Sequence, residues 1–198
     1  MAVRVGCVIM AAGNAARFGA NKLLAEVRGR SLICRALDAV PLDLLHAAVV
    51  VTQYPEVEAL ARERGLRTVE NDRPDLGISR TIRLGLTALG EVEGAMFLVS
   101  DQPLLRRETV AAALRRFQDA PERIVALSAG GRRGNPCVFP GKFFPELLAL
   151  GGDRGGSAVI RAHPEALLLV EAAEEELWDV DTVRELEALM PPAEGREN

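Results

Sequence analysis

At 198 residues, with 48% hydrophobic and 26% charged residues, the chain has the make-up of one soluble domain with a sizeable core. A net charge of −4 argues against the broad basic surface of a nucleic-acid or anionic-lipid binder, and no run of about 18 uncharged apolar residues marks a membrane span. Cys7, Cys34 and Cys137 are odd in number, far apart and without a C-x-x-C pair, which with the lack of a secretory leader points to a reduced, cytoplasmic setting.

Strand and helix patterns alternate from the start. Residues 3–10 and 46–52 are short apolar runs of the kind that form covered parallel strands. Between them Ser31 stands as an N-cap before Leu32, Ile33, Ala36, Leu37 and Val40, which fall on one helical stripe. Residues 55–64 predict a polar helix ended by Gly65, then a strand from Leu66 to Glu70. Ile78, Ile82, Leu86 and Leu89 predict a helix over 78–89, followed by a buried strand over 95–100. Val110, Ala113, Leu114 and Phe117 have the i, i+3, i+4, i+7 spacing of a helix over 107–118. Strands are expected at 123–128 and 136–139, joined by a turn at 130–134. A helix at 142–150, a glycine-rich loop at 151–156, a helix at 157–162 and a strand at 166–170 follow. Thr182 and Glu185 have the spacing of a capping box for a last helix. Residues 1–190 thus predict one domain, and 191–198 a polar, flexible tail. The alternation implies an α/β fold with an open, mostly parallel sheet covered on both faces, whose ligands sit at the C-terminal strand ends.

Polar residues collect at those ends. The first strand runs into Ala11-Ala12-Gly13 and on through Arg17, Gly19 and Lys22. Small side chains let backbone N–H groups approach an anion, and Arg17 and Lys22 add full charges, a grip suited to a triphosphate. Lys22 is one of only two lysines among 24 Lys and Arg residues. The glycine spacing matches neither G-x-G-x-x-G nor the P-loop. The segment from Asn71 to Ser79, with Gly77, enters a helix and suits a base or ribose, although Ser79 would equally cap that helix. Asp101 directly follows a buried strand, as a Mg²⁺ ligand or as the cap of the turn with Pro103. Asp179 and Asp181, at i and i+2, point to one side of an extended segment and would complete a metal site, unless Asp181 only caps the last helix. The loop with Asp153 and Arg154 precedes a helix, a shape that suits an anion or a plain surface turn. His46 and His163 have no partner at ligand spacing.

The order of these motifs (Ala-Ala-Gly, Arg17, Gly19 and Lys22, then Gly77-Ile78-Ser79, Asp101-Gln102-Pro103, Gly134-Asn135-Pro136, Gly152-Asp153-Arg154-Gly155 and Asp179-Val180-Asp181-Thr182) resembles the molybdenum cofactor nucleotidyltransferases over about residues 3–190. The resemblance implies a three-layer α/β/α, Rossmann-like nucleotidyltransferase fold. It also implies transfer of a nucleotide from CTP, or less so GTP, to the terminal phosphate of molybdopterin, with Mg²⁺ as cofactor and molybdoenzyme-maturation proteins as partners. Ala12, where the guanylyltransferases tend to carry glycine, favours CTP. On this likeness Arg17, Lys22 and Asp101 are catalytic. Ala11, Ala12, Gly13, Arg17, Gly19, Lys22, Asn71, Gly77, Ser79 and Asp101 bind the nucleotide. Asp101, Asp179 and Asp181 hold the metal. Gly134, Asn135, Pro136, Asp153 and Arg154 face the acceptor. The chain departs from the family's pattern at Ser100 (usually Gly), at Asn135 (often His), in a serine run shortened to Ser79-Arg80-Thr81, and at Val183-Arg184-Glu185 after Thr182. A transferase for a sugar phosphate or another small phosphorylated metabolite is an alternative. So is a binding protein or an NAD(P)H-dependent reductase on the same scaffold.

Overall fold

The computed structural model describes residues 2–13 and 21–189, so Arg17, Gly19 and the C-terminal tail lie outside the described residues. Nine strands, β1 (Val5–Ala11), β2 (Glu26–Val27), β3 (Arg30–Ser31), β4 (Ala47–Thr52), β5 (Arg67–Glu70), β6 (Gly94–Val99), β7 (Ile124–Ala129), β8 (Arg132–Pro140) and β9 (Leu167–Glu171), are described. They alternate with α1 (Leu32–Ala39), α2 (Pro55–Glu63), α3 (Ile78–Leu89), α4 (Arg107–Asp119), α5 (Phe144–Leu148), α6 (Gly156–Ala162) and α7 (Val183–Ala188). Seven strands form one sheet in the order β5-β4-β1-β6-β8-β7-β9, and β2 and β3 form a small antiparallel pair. All neighbours in the large sheet run parallel except where β8 lies between β6 and β7. This is the expected mostly parallel α/β sandwich.

The period-2 alternation of strand side chains divides the core between the two faces. Along β1, Val5, Cys7 and Ile9 face the layer of α1, α2 and α4, with Ile33, Val57, Val110 and Phe117. Val8 faces the other layer, with Ile82 and Leu86 of α3, Leu147 of α5 and Val159 of α6. Phe117 is fully buried, and removing such a ring from a packed core costs about 3–5 kcal/mol. Helix α3 lies close against β1 because Gly85 has no side chain there: a Cβ would stand 2.3 Å from Val8 Cγ1.

Most sequence boundaries hold within a residue or two, and α3 spans 78–89 as its periodicity predicts. Ser31 caps α1 by accepting from the Cys34 amide, and Thr182 and Glu185 form the capping box of α7. The β2–β3 pair is not among the expected elements, and two of the expected elements differ. The turn expected over 130–134 is only Gly130-Gly131, both at positive φ, which suits a two-residue hairpin. Consequently β8 begins at Arg132, paired with Ala129, and the two arginines belong to a strand. The helix expected at 142–150 is reduced to α5 after a 3₁₀ turn at Gly141–Phe143.

One sheet feature positions the site. From β1 the chain moves outward through β4 to β5, then returns to the opposite side of β1 as β6. Crossovers thus leave β1 and β6 in opposite directions, and a crevice opens at their C-terminal ends.

Candidate active site

Strand β1 delivers Ala11-Ala12-Gly13 to that crevice and β6 delivers Ser100-Asp101 beside it, Met10 being level with Val99. Ser100 donates its hydroxyl to the Met10 carbonyl at 3.0 Å and ties the two strand ends together. The carbonyls of Ala12 and Gly13 accept from Gln53 Nε2 and the Tyr54 hydroxyl, both at 2.9 Å, so residues just after β4 fix the orientation of the loop backbone.

Lys22 lies at the centre of the charge cluster. Its Nζ donates to Asp101 Oδ2 at 2.9 Å, to the Val180 carbonyl at 3.1 Å and to Asp181 Oδ1 at 3.1 Å. Burial works against the ammonium, but the charge and hydrogen bond of Asp101, then those of Asp181, outweigh it and hold the Lys22 pKa above its ordinary value. Segment 177–181 reaches this point because Val180 is buried with Val27, Leu32 and Leu186 in a small apolar cluster. With Val180 turned inward on an extended backbone, its neighbours Asp179 and Asp181 share the other side. The Val180 amide donates to the Asp101 carbonyl at 2.9 Å, and Gln102 Nε2 donates to Asp179 Oδ1 at 3.0 Å. Asp179 is exposed as a residue, yet desolvation of its carboxyl, then the Asp101 charge, raises its pKa above the ordinary value.

The segment is anchored upstream by Glu176. Its buried carboxylate accepts from the Arg106 amide at 3.0 Å and the Arg106 guanidinium at 2.5 Å, at the start of α4. Burial raises the Glu176 pKa, but the bonds from Arg106, from Thr109 and from backbone amides win and hold it below the ordinary value.

Two cavities flank the Lys22–Asp181 contact, one lined by Lys22 and the other by Asp181. The first, of about 430 Å³, is lined by the Ala11–Gly13 backbone, Lys22, Gly77, Thr81, Asp101 and Asp153, among others. The second, of about 660 Å³, is lined by Asp179, Val180, Asp181, Gln102, Gly134 and Asn135 with Arg132, Arg133 and Trp178. The sequence-derived nucleotide residues therefore divide. Ala11, Ala12, Gly13, Lys22, Gly77 and Asp101 line one cavity. Asn71 and Ser79 are buried behind it. Asn71 Oδ1 accepts from the Arg73 amide and Arg80 Nε, and its Nδ2 donates to Thr81 Oγ1. The Ser79 amide donates to the Gly152 carbonyl. The 151–154 loop lies so close to Gly77, whose φ is +81°, that a Cβ there would stand 2.4 Å from Gly152 C. This contact places Asp153 in the cavity with Lys22, away from Gly134 and Asn135. Pro136 is buried within β8, and Arg154 is exposed and lines neither cavity.

Gln53, Tyr54, Arg132, Arg133 and Trp178 are additions that sequence reasoning missed. The paired arginines beside Gly134-Asn135 were the one available signal. Among the described residues no three His, Cys, Asp or Glu side chains form a ready-made metal cage. The donor set still fits a hard divalent cation: Asp101, Asp179 and Asp181 outnumber the Lys22 ammonium beside them among the described residues. One or two carboxylates, completed by water and substrate phosphates, are what Mg²⁺ takes.

A parallel-sheet crevice whose strand-end loop and lysine sit against clustered carboxylates is of a kind suited to anionic, phosphate-bearing ligands. The MobA-like NTP transferase domain matches residues 7–167, and the chain belongs to that family of nucleotidyltransferases. Among curated relatives it is similar to the Bifunctional protein GlmU of Synechococcus sp., 32% identical over 61% of this chain and 20% of the relative. It is also similar to a probable molybdenum cofactor guanylyltransferase of Aquifex aeolicus, 25% identical over 57% of this chain and 54% of the relative. The chain thus spans from about a fifth to about half the length of these relatives. Among solved structures, Rv0371c of Mycobacterium tuberculosis H37Rv superposes with a TM-score of 0.76 at 21% identity, covering 96% of this chain and 98% of the other. A structure of the same protein in complex with manganese gives 0.69 at 22% identity, covering 94% and 97%. No helix of the described residues is long and apolar enough to cross a membrane.

Proposed function

We propose that this nucleotidyltransferase moves CMP from CTP onto the terminal phosphate of molybdopterin, releasing pyrophosphate, in a cytoplasmic setting consistent with three free cysteines. The observation that carries the reading is the Lys22 bridge to Asp101 and Asp181, where a nucleotide-sized cavity and a second cavity adjoin. An acceptor phosphate oxygen attacks the α-phosphorus in line. The new bond is oxygen to α-phosphorus, and the bond from α-phosphorus to the β-phosphate oxygen breaks, with the electron pair leaving on pyrophosphate.

The attacking oxygen is already an anion, so the reaction needs positioning and charge compensation more than a base. The Ala11–Gly13 backbone, held by Gln53 and Tyr54, supports the nucleotide. Lys22 exchanges its carboxylate partners for the β- and γ-phosphates, joined by Arg17. Asp101, with Asp179 or Asp181, would hold Mg²⁺, which supplies neutralisation of the phosphate charge when bound. The manganese complex of Rv0371c supports a divalent ion in this fold. Ala12 supports CTP over GTP through the family likeness.

The test offers CTP, GTP, ATP and UTP in turn with molybdopterin and Mg²⁺ and measures pyrophosphate. Release is expected with CTP and least with ATP and UTP. Release with none of the four, or equal release without molybdopterin, overturns the reading.

A further inference from the structure

The Lys22 ammonium has three N–H bonds, and the protein accepts all three. Asp101 Oδ2 lies 2.9 Å from Nζ, the Val180 carbonyl 3.1 Å and Asp181 Oδ1 3.1 Å. The side chains of Lys22 and Asp101 are only 15% and 24% exposed, so solvent screens this pair less than an ordinary surface ion pair. Among the described residues no other cation pairs with Asp101 or Asp181. Asp179 is held separately, by the Gln102 amide. Asp101 and Asp181, which the proposed mechanism offers to a divalent ion, are thus already engaged by an ammonium.

The surroundings let this ammonium leave without dissolving the arrangement. Asn21 Oδ1 accepts from the Leu23 amide at 3.2 Å and caps the 3₁₀ turn Lys22–Leu24, and Leu23 is buried in the core, so the Lys22 backbone is fixed. Only the flexible side chain has to move. On the other side the Val180 amide donates to the Asp101 carbonyl, and Val180 is buried with Val27, Leu32 and Leu186. Neither tie involves Lys22, so the two carboxylates stay side by side when it departs. The Ala11–Gly13 backbone lines the same cavity as Lys22, and phosphates seated there give the ammonium new partners.

We infer that Lys22 is a resident plug: in the free protein its ammonium withholds Asp101 and Asp181 from divalent cations, and a triphosphate that draws Nζ away releases them. Ammonium and cation compete for the same oxygens, so cation binding is conditional on the nucleotide, and the coupling is reciprocal. The inference rests on the nucleotidyl-transfer reading, which supplies the triphosphate.

Mn²⁺ alone is the probe, because a cation added with CTP would also bind the triphosphate in solution. Free Mn²⁺ is followed by electron paramagnetic resonance in titrations of the wild type and Lys22→Met, or Lys22→Ala should the first variant not fold by circular dichroism. Without nucleotide the Lys22 variant should bind Mn²⁺ at least about tenfold more tightly than the wild type, the scale of a charged hydrogen-bond set. Adding Asp101→Asn should abolish the gain. Arg133→Met removes a second-cavity cation that pairs with neither carboxylate and should shift Mn²⁺ affinity less than about twofold. An equal gain in Arg133→Met means general charge and overturns the plug, as does Mn²⁺ binding equally tight in the wild type and the Lys22 variant. Loss of Lys22 should strengthen free Mn²⁺ binding and weaken Mg·CTP binding, an opposition that loss of a merely structural lysine would not produce. Thermal shifts of the wild type with the Mg²⁺ complexes of CTP, GTP, ATP and UTP separate the two levels. A shift, with no Mn²⁺ gain in the Lys22 variant, sinks the plug alone. No shift with any of the four sinks the transferase reading and the triphosphate release with it.

Discussion

The two sides of the charge cluster are built differently. The first cavity grows out of the parallel half of the sheet: β1 and β6 are buried neighbours, and Ala11–Gly13 and Asp101 continue directly from them. The second is assembled from β8, the one antiparallel strand of the large sheet, and from the segment between β9 and α7, which reaches the site through Val180 and Glu176. One side inherits rigidity from the core; the other depends on a few long-range ties. Substitutions at the strand ends should therefore alter chemistry while leaving the fold intact, and substitutions in the 176–181 segment should loosen the site.

Asp101→Asn tests the rigid side with the largest expected effect. It keeps the shape and removes a charge that faces Lys22 and, on the proposed mechanism, the divalent cation, so turnover should drop on the order of 10²-fold or more. Circular dichroism should be unchanged. Wild-type turnover at saturating Mg²⁺ would remove Asp101 from the site. Lys22→Met should follow, weakening Mg·CTP roughly ten- to a hundredfold in calorimetry, the scale of a charged hydrogen bond set. Binding at the second cavity should change far less, and equal losses on both sides would contradict the division between the cavities.

Glu176→Gln probes the looser side. Its folded pKa lies below the ordinary value, so its stabilising contribution is complete above the ordinary carboxylate pKa of about 4.3 and is lost as pH falls through the lower folded value. At pH 7 the variant should lose about 1–2 kcal/mol, discounted because Arg106 is largely exposed. The gap to wild type should close toward pH 3. A gap independent of pH in urea titrations would mean that the charge of Glu176 does not tie the segment down.

The same contrast explains what the sequence made legible. Helix α3 is bounded by Gly77 and Gly90 and carries a clean apolar stripe, and Thr182 and Glu185 cap α7 within four residues: these are local signals. Gly130-Gly131-Arg132-Arg133-Gly134 suggests a wide turn because glycine breaks periodicity, whereas two positive-φ residues suffice and β8 starts at once. The Lys22 contacts join residues 79 and 159 positions apart, and local spacing carries no record of such a meeting. Asp153 was legible as a loop residue, but its cavity follows from the close approach of Gly152 to Gly77, set by packing. The Gln102 amide, which orients Asp179, is equally invisible before the 177–181 segment is placed beside it.

Tyr54→Phe gives the smallest effect and the sharpest comparison. The hydroxyl donates to the Gly13 carbonyl at 2.9 Å from a position 41 residues away, in an exposed setting. Its loss removes one neutral hydrogen bond, worth about 0.5–1.5 kcal/mol and reduced further where water replaces it. The ring remains packed against the α1, α2 and α4 layer of the core, so the melting temperature should move little. If the rigid side owes its precision to the core alone, CTP affinity will stay at the wild-type value. If Gln53 and Tyr54 hold the loop, affinity for CTP should weaken about three- to tenfold while binding in the second cavity stays constant, because Tyr54 does not line that cavity.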